Sequence, residues 1–494
     1  MWQRMHHLWI RPCGVREVFW IALPLMISAS SWTVMHFVDR MFLLWHSNSE
    51  LAASLPAAMV SFVTVCFFLG VAFYTNTFVS QYYGAKRFDR IGVAMWQGVW
   101  VGLFSIPVLL LTLPLAQPLF EFIGHAPEVQ RGEVAYYEGL CYGQGALVIA
   151  AATSSFFIGR GDVWTVMWVN IVAAVLNALL DYAWIFGRWG FPEMGIAGAA
   201  WGTTAAQWLK VVVYVALILK AEHRVRYGTW SGIRWDGALM RRLLWFGSPS
   251  GVQFLVECSG ITVLIMLLGR LGELELAASN LAFSLETLAL FPMFGMGQAI
   301  TTLVGQRLGE DRPDLAARAT WSGYALIVSY LAVLASLFVF APEFLLWLHR
   351  QYAEPEQFEE VSALAIVLLR FVAVYCFFDA TNFSFSSAIK GAGDTQFVMR
   401  VTLVTSSTAV CAMWIATEMF SMNVYGAWTL LTCWACTLGV TYFARFMGGK
   451  WRSMRVIEPE VVQQTDGQPA EELLDAPAPQ LAPRVMAASQ AEDV

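Results

Sequence analysis

Seven ionisable residues within apolar stretches of this sequence are candidates for chemistry: Asp39, Arg40, Asp181, Glu257, Glu286, Arg370 and Asp379. A charge at bilayer depth costs about 2.5–3.5 kcal/mol even on the mildest scale, so each needs a reason to be there. Helical spacing supplies one. Tyr375, Asp379, Asn382 and Ser386 fall at i, i+4, i+7 and i+11, on one continuous face. Ser250, Gln253, Glu257 and Gly260 repeat the pattern; Asn170, Asn177 and Asp181 line a third segment, and Trp32, His36 and Asp39 a fourth. Polar stripes on apolar helices point to a wet cavity rather than to lipid. Carboxylates placed there can take up a proton, or join amide and hydroxyl oxygens around a hard cation such as sodium. They also attract organic cations, to which aromatic faces add cation–π contacts. The candidate cation-binding residues are therefore Glu257, Asp379, Asp39, Asp181 and Asn177, with Trp32, His36, Gln253, Tyr375, Asn382 and Glu286 lining the cavity. Plainer uses compete: interhelical hydrogen bonds, a His36–Asp39 pair, a Glu286–Arg370 pair, and an Arg40 that snorkels to the interface.

The elements that must position these groups are membrane helices. The 494 residues are 58% hydrophobic and 13% charged, whereas soluble domains carry about 25% charge. The apolar residues gather in runs long enough to cross about 30 Å of hydrocarbon as helix. Twelve spans are predicted, at 17–45, 53–79, 93–117, 133–158, 164–187, 195–220, 243–269, 276–303, 317–341, 361–389, 398–418 and 425–447. Lys86, Arg87, Arg90, Arg224, Arg226, Arg241, Arg242, Arg307 and Arg312 crowd the flanks on the side of both termini. The opposite flanks hold only Arg131, Arg188, Arg270 and Arg350. By the positive-inside rule both termini face the cytoplasm of a multi-pass cell-membrane protein. Arg4, Arg11 and Arg16 precede the first span without an A-x-A-like cleavage site, which reads as an uncleaved helix.

An internal repeat divides the chain. At an offset of 225 residues, Trp20 meets Trp245, Pro24 meets Pro249, Gly70 meets Gly295, Gln81 meets Gln306, Gly84 meets Gly309 and Asp89 meets Asp314. At 232 residues, Gly159–Asp162 meets Gly391–Asp394. Two halves of six spans share one orientation, and transporter binding sites lie at such an interface. The expected organisation is an N-terminus at 1–16, an N-terminal lobe at 17–220 and a cytoplasmic linker at 221–242. A C-terminal lobe at 243–449 and a disordered acidic tail at 450–494 complete it. The acids break the repeat: Asp39 meets Leu264, Glu257 meets Trp32, Asp379 meets Leu147 and Asp181 meets Met413. Asp162 and Asp394 read as helix N-caps. Trp20, Trp45, Trp189, Trp245 and Trp347 read as interfacial anchors. Cys433 and Cys436 read as small packing residues rather than a metal site.

Several short motifs, in order, resemble the multidrug and toxic compound extrusion (MATE) family, and its bacterial NorM-type branch above all, over about residues 15–450. They are Val38-Asp39, Gln81-x-x-Gly84-Ala85, Asn177 with Asp181, the Met194–Thr203 stretch, Pro249 with Glu257, Leu303–Gln306, and Asp379 with Gly391–Thr395. The resemblance implies an all-α fold of two six-helix bundles in a V, opening alternately to either side. It implies export of cationic or amphipathic solutes in exchange for Na+ or H+. It also implies that Glu257, Asp379 and Asp39 are coupling acids, with Na+ at Glu257 and Asp379, and that Asn177 and Asp181 form a proton-handling pair. Arg40 after Asp39 departs from the family's small polar residue.

Rival readings fit less well. A flippase for lipid-linked oligosaccharide or peptidoglycan precursors, from the same superfamily, needs a cavity rich in Lys and Arg, yet the deep charges here are mostly acidic. An enzyme needs a nucleophile or a ligand cluster that the spacing does not offer. No cofactor beyond the coupling ion is expected, and no nucleic-acid partner; the expected partners are drug-like organic cations and lipid, and the expected state is a monomer.

Overall fold

Lipid leaves backbone N–H and C=O groups no partner outside the chain, so apolar runs of this length must pair internally as helix. The computed structural model describes residues 11–350, 355–420 and 422–459. It places twelve long apolar helices there: α1 (Val15–His46), α2 (Asn48–Gly84), α3 (Phe88–Leu110), α4 (Pro127–Ile158), α5 (Val163–Ile185), α6 (Ile196–Ile218), α7 (Gly237–Leu268), α8 (Glu273–Gly309), α9 (Pro313–Phe340), α10 (Pro355–Ala392), α11 (Thr395–Phe420) and α12 (Val424–Met447). Each corresponds to a predicted span, but α3 stops at Leu110, short of the expected 117, where a 3-10 turn (Leu113–Leu115) and a short helix (Ala116–Ile123) take over, and α5 and α6 end one or two residues inside theirs. Several others run past their spans, because hydropathy stops at the edge of the hydrocarbon while backbone hydrogen bonding does not.

The halves match. Helices α1 and α7 each have 32 residues, α2 and α8 each 37. Within the first lobe α1 packs on α5, α2 on α4 and α4 on α6; the second repeats this as α7 on α11, α8 on α10 and α10 on α12. Between lobes α1 meets α8, α7 meets α2, and α2 crosses α8.

The ties between lobes cluster on the face that carries both chain ends, here the terminal face. Gln81 Nε2 donates to the Gly391 carbonyl at 3.0 Å, and its repeat partner Gln306 donates to the Gly159 carbonyl at 2.9 Å. These are one hydrogen bond made twice. The glycines beside them are obligatory: a Cβ on Gly84 would overlap the Gln306 carbonyl, and one on Gly309 the Gln81 carbonyl. Asn76 adds a bond to Thr302 at 2.9 Å. Further along α2, the seam with α7 includes an edge-on contact of Phe62 with Phe254, 5.9 Å between centroids.

Two expected boundaries need correction. The 221–242 linker is shorter and folded: a helix spans Ala221–Tyr227, a 3-10 turn Ser231–Ile233, and α7 already begins at Gly237. Trp96 and Trp100 of α3 donate to the Thr229 and Ile233 carbonyls and hold it down. Asp236 caps α7 by accepting from Leu239 N–H at 3.0 Å, and pairs with Arg90 at 3.1 Å. Partial burial pushes its carboxyl up, but these two partners outweigh that and hold it below its ordinary value. The tail is the second correction. Residues 450–457 pack onto the body because Trp451, Val456 and Ile457 are apolar; Trp451 stacks on Phe446 at 4.9 Å. Val456 N–H donates to Gln81 Oε1 at 2.9 Å, and Arg242 donates to the Val456 carbonyl. The rest of the tail, 460–494, lies outside the described residues.

Neither aspartate caps its helix through the side chain as expected. Asp162 accepts from the Thr165 hydroxyl at 2.9 Å, and Asp394 pairs with Arg445 at 2.7 Å. Trp20, Trp45, Trp189 and Trp245 are exposed, as anchors should be; the side chain of Trp347 lies outside the described residues.

Candidate functional site

The first lobe buries two carboxylates against each other. Asp39 on α1 is 1% exposed and Asp181 on α5 0%, and their carboxyl groups lie within hydrogen-bonding reach. Helix α6 crosses close enough that a Cβ on Gly202 would overlap Asp181 Oδ1. No donor satisfies any of the four carboxylate oxygens. Ionised carboxylates only accept, so two of them buried side by side favour sharing a proton or a cation over both standing bare. Asn177 donates weakly to Thr203, at 3.4 Å, and its side chain stands beside Asp181. The oxygen-only set of Asp39, Asp181 and Asn177 fits a hard cation as well as a proton. His36 Nδ1 is 3.9 Å from Asp39, too long for the hydrogen bond expected between them. Arg40 is exposed.

In the second lobe the acids divide into two groups. Glu257 on α7 accepts from Gln253 at 2.9 Å and lies beside Thr402 of α11 and in the field of Lys390. Asp379 on α10 lies near Glu286 of α8, and the Tyr375 hydroxyl is directed at Glu286. Tyr375 in turn stacks on Trp428, whose indole donates to Ser279 at 3.1 Å. Glu257, Glu286, Asp379 and Asn382 are half-buried. The expected Glu286–Arg370 pair does not form: Arg370 is exposed, and Glu286 faces Tyr375 and Asp379.

Three residues escaped sequence reasoning. Tyr136 on α4 stands close to both acids of the first lobe. Lys390 reads as a flanking charge near the end of a predicted span, yet it acts on Glu257. Lys210 on α6 is buried, its ammonium 5.9 Å from the Trp32 ring centre. Its signal was available: a lysine ten residues inside a predicted span.

Comparison with known proteins agrees with this architecture. The chain is 27% identical over 390 residues to a probable multidrug resistance protein NorM of Xanthomonas axonopodis pv. citri, covering 78% of this chain and 83% of that one. It is 28% identical over 394 residues to multidrug resistance protein PmpM of Pseudomonas aeruginosa, covering 79% and 81%. Among solved structures, a MOP superfamily transporter from Pyrococcus furiosus, described by a binding pocket of reverse polarity, superposes with a TM-score of 0.80 at 19% identity over 91% of this chain and 98% of that one. The eukaryotic MATE transporter AtDTX14 gives 0.78 at 18% identity, over 88% and 96%. The MatE family model matches residues 24–183 in one lobe and 249–415 in the other, and the chain therefore belongs to the MATE family of multidrug efflux transporters.

Proposed function

We propose that this protein exports amphipathic organic solutes, mostly cations, in exchange for Na+ or H+ by alternating access. The observation that carries the reading is that Glu257, Glu286 and Asp379, each set in a long apolar helix, are half-buried rather than sealed in the core. Such carboxylates attract either an inorganic cation or an organic one, and mutual exclusion at shared acids is a sufficient basis for exchange. The Asp39–Asp181 contact adds a second place for a proton or metal cation, in the other lobe. The Lys/Arg bias of the connections supports a cell-membrane protein with both termini in the cytoplasm. The terminal face, where the lobes are tied, is then the cytoplasmic one.

The test is transport in proteoliposomes with sodium and proton gradients imposed separately. Adding an organic cation should collapse one gradient, and Glu257→Gln and Asp379→Asn should each abolish that response while the protein still inserts. A solute that moves without dissipating either gradient would remove exchange from the mechanism.

A further inference from the structure

We propose that two matched surface sites, Arg16 with Trp20 on α1 and Arg241 with Trp245 on α7, each hold one anionic phospholipid, its phosphate on the guanidinium and its glycerol and upper acyl chains against the indole. The proposal goes beyond the export reading and does not depend on it. At the 225-residue offset that sets Trp20 on Trp245, Arg16 falls on Arg241. The scaffold thus carries the same Arg-x-x-x-Trp pair twice. Spacing of i and i+4 puts both members of a pair on one helix face, about 6 Å apart along the axis. Each arginine falls just before a predicted span, which begins at 17 in one lobe and at 243 in the other, and each tryptophan just inside it. That is the order of a bilayer edge, with phosphates outermost and then the layer where indole collects.

Both arginines are exposed, Trp20 is 51% exposed and Trp245 63%. Among the described residues neither arginine has a hydrogen-bond acceptor or an ion-pair partner. The nearby acids are taken. Glu17, beside Arg16, accepts from Arg307 at 2.6 Å and from the Cys13 N–H at 2.7 Å. Asp236, shortly before Arg241, is held by Arg90 and by the Leu239 N–H. Arg242, next along, donates to the Val456 carbonyl. Arg307 and Arg242 therefore serve the fold, while Arg16 and Arg241 stand outside it, each one turn from an exposed tryptophan. On α7 the pair lines an open groove of about 440 Å³ together with Gly237, Met240 and Leu244. Arg241 is the one charge on those apolar walls, so the groove selects an anion that carries hydrocarbon. On α1 the wall is aromatic: Trp164 of α5 lies 6.4 Å from Trp20. A guanidinium donates two parallel N–H bonds to a phosphate, and an indole N–H can donate to an ester carbonyl. Helix α1 meets α8 and α7 meets α2, so each lipid would rest on a helix that joins the lobes.

The experiment counts lipids retained by the full chain in native mass spectrometry, with phosphatidylglycerol and phosphatidylcholine of identical acyl chains titrated separately. Wild type should hold two phosphatidylglycerols more tightly than any phosphatidylcholine. Arg16→Gln and Arg241→Gln should each weaken one of the two sites about fivefold, and the double variant both. Trp245→Leu should weaken the two lipids alike. Arg400→Gln removes an exposed charge with no tryptophan one turn on, and should change neither site. An equal loss from Arg400→Gln would reduce the effect to the net charge of that face and overturn the sites. So would equal binding of the two lipids by wild type. Displacement of phosphatidylglycerol by soluble glycerol phosphate at matched concentration would make these plain anion sites and overturn the assignment to lipid. No solute is present, so a failure of transport would leave this result standing.

Discussion

Replacing Gln81 by Ala would loosen the terminal-face joint on one side only, and its twin at Gln306 supplies an internal control. Gln81 makes two bonds across the joint, one to the Gly391 carbonyl at 3.0 Å and one from Val456 N–H at 2.9 Å; Gln306 makes one, to the Gly159 carbonyl at 2.9 Å. A typical intramolecular hydrogen bond contributes about 0.5–1.5 kcal/mol net. Gln81→Ala should therefore cost the closed joint about 1–3 kcal/mol and Gln306→Ala about 0.5–1.5 kcal/mol. At about 1.4 kcal/mol per tenfold, the open-to-closed ratio should rise about 5- to 140-fold in the first case and about 2- to 12-fold in the second. The two sites touch, so the double variant should not be additive. Spin labels at the exposed Lys220 and Arg400, one on each lobe, report the opening as a second, longer distance by pulsed EPR in a cysteine-free background. A larger effect from Gln306→Ala than from Gln81→Ala, or none from either, would refute the idea that these bonds hold the lobes together.

Other outcomes follow from the same geometry. Truncation after Gly449 removes Trp451 and Val456 and should widen the same EPR distance as Gln81→Ala, whereas truncation after Pro459 should not; identical traces would make the docked tail incidental. Asp236 has a depressed folded-state carboxyl, so its contribution is full above its unfolded value of about 3.9 and disappears as pH falls through the folded one. Asp236→Asn should thus lower Tm near neutral pH, and the gap to wild type should close on acidification; a gap that widens would reverse the sign of the linkage.

The spans were legible because lipid demands long apolar runs, and the pairing of halves because glycine, proline and glutamine recur at fixed offsets. Helix ends were less so. Asn48–Ala52 and Ser80–Gly84 are helical yet lie outside the predicted second span, since polar residues beyond the hydrocarbon still hydrogen-bond as helix. Individual acids stood out against apolar neighbours, but their partners did not. Asp39 and Asp181 are 142 positions apart, and only the packing of α1 on α5 joins them. The same limit misplaced Arg370 opposite Glu286: both sit in predicted spans, and no spacing rule says which side of α10 turns outward. The tail misled through composition, because its acidic bulk hid three apolar residues at its start.

The repeat sorts scaffold from chemistry. Residues that join the lobes must serve twice, once in each direction about the axis, so Gln81 and Gln306 match. The acids have no such duty. Where the first lobe sets Asp39 of α1 against Asp181 of α5, the second has Leu264 of α7 and Met413 of α11 at the repeat-equivalent positions, both buried. The second lobe thus buries apolar residues at the corresponding places on the corresponding helices. Asp39→Leu with Asp181→Met should therefore fold: replacing a buried ionisable pair with apolar residues is often neutral or stabilising by about 1–4 kcal/mol, which offsets the repacking cost of about 1–3 kcal/mol that the bulkier side chains impose beside Gly202. Tm in detergent at pH 8 should hold or rise. The proton or sodium released per solute bound should fall by the share carried in the first lobe, while the response that depends on Glu257 and Asp379 persists. A marked drop in Tm would mean that the lobes do not share the packing their sequences imply, and an unchanged release would leave the Asp39–Asp181 contact without a role in coupling.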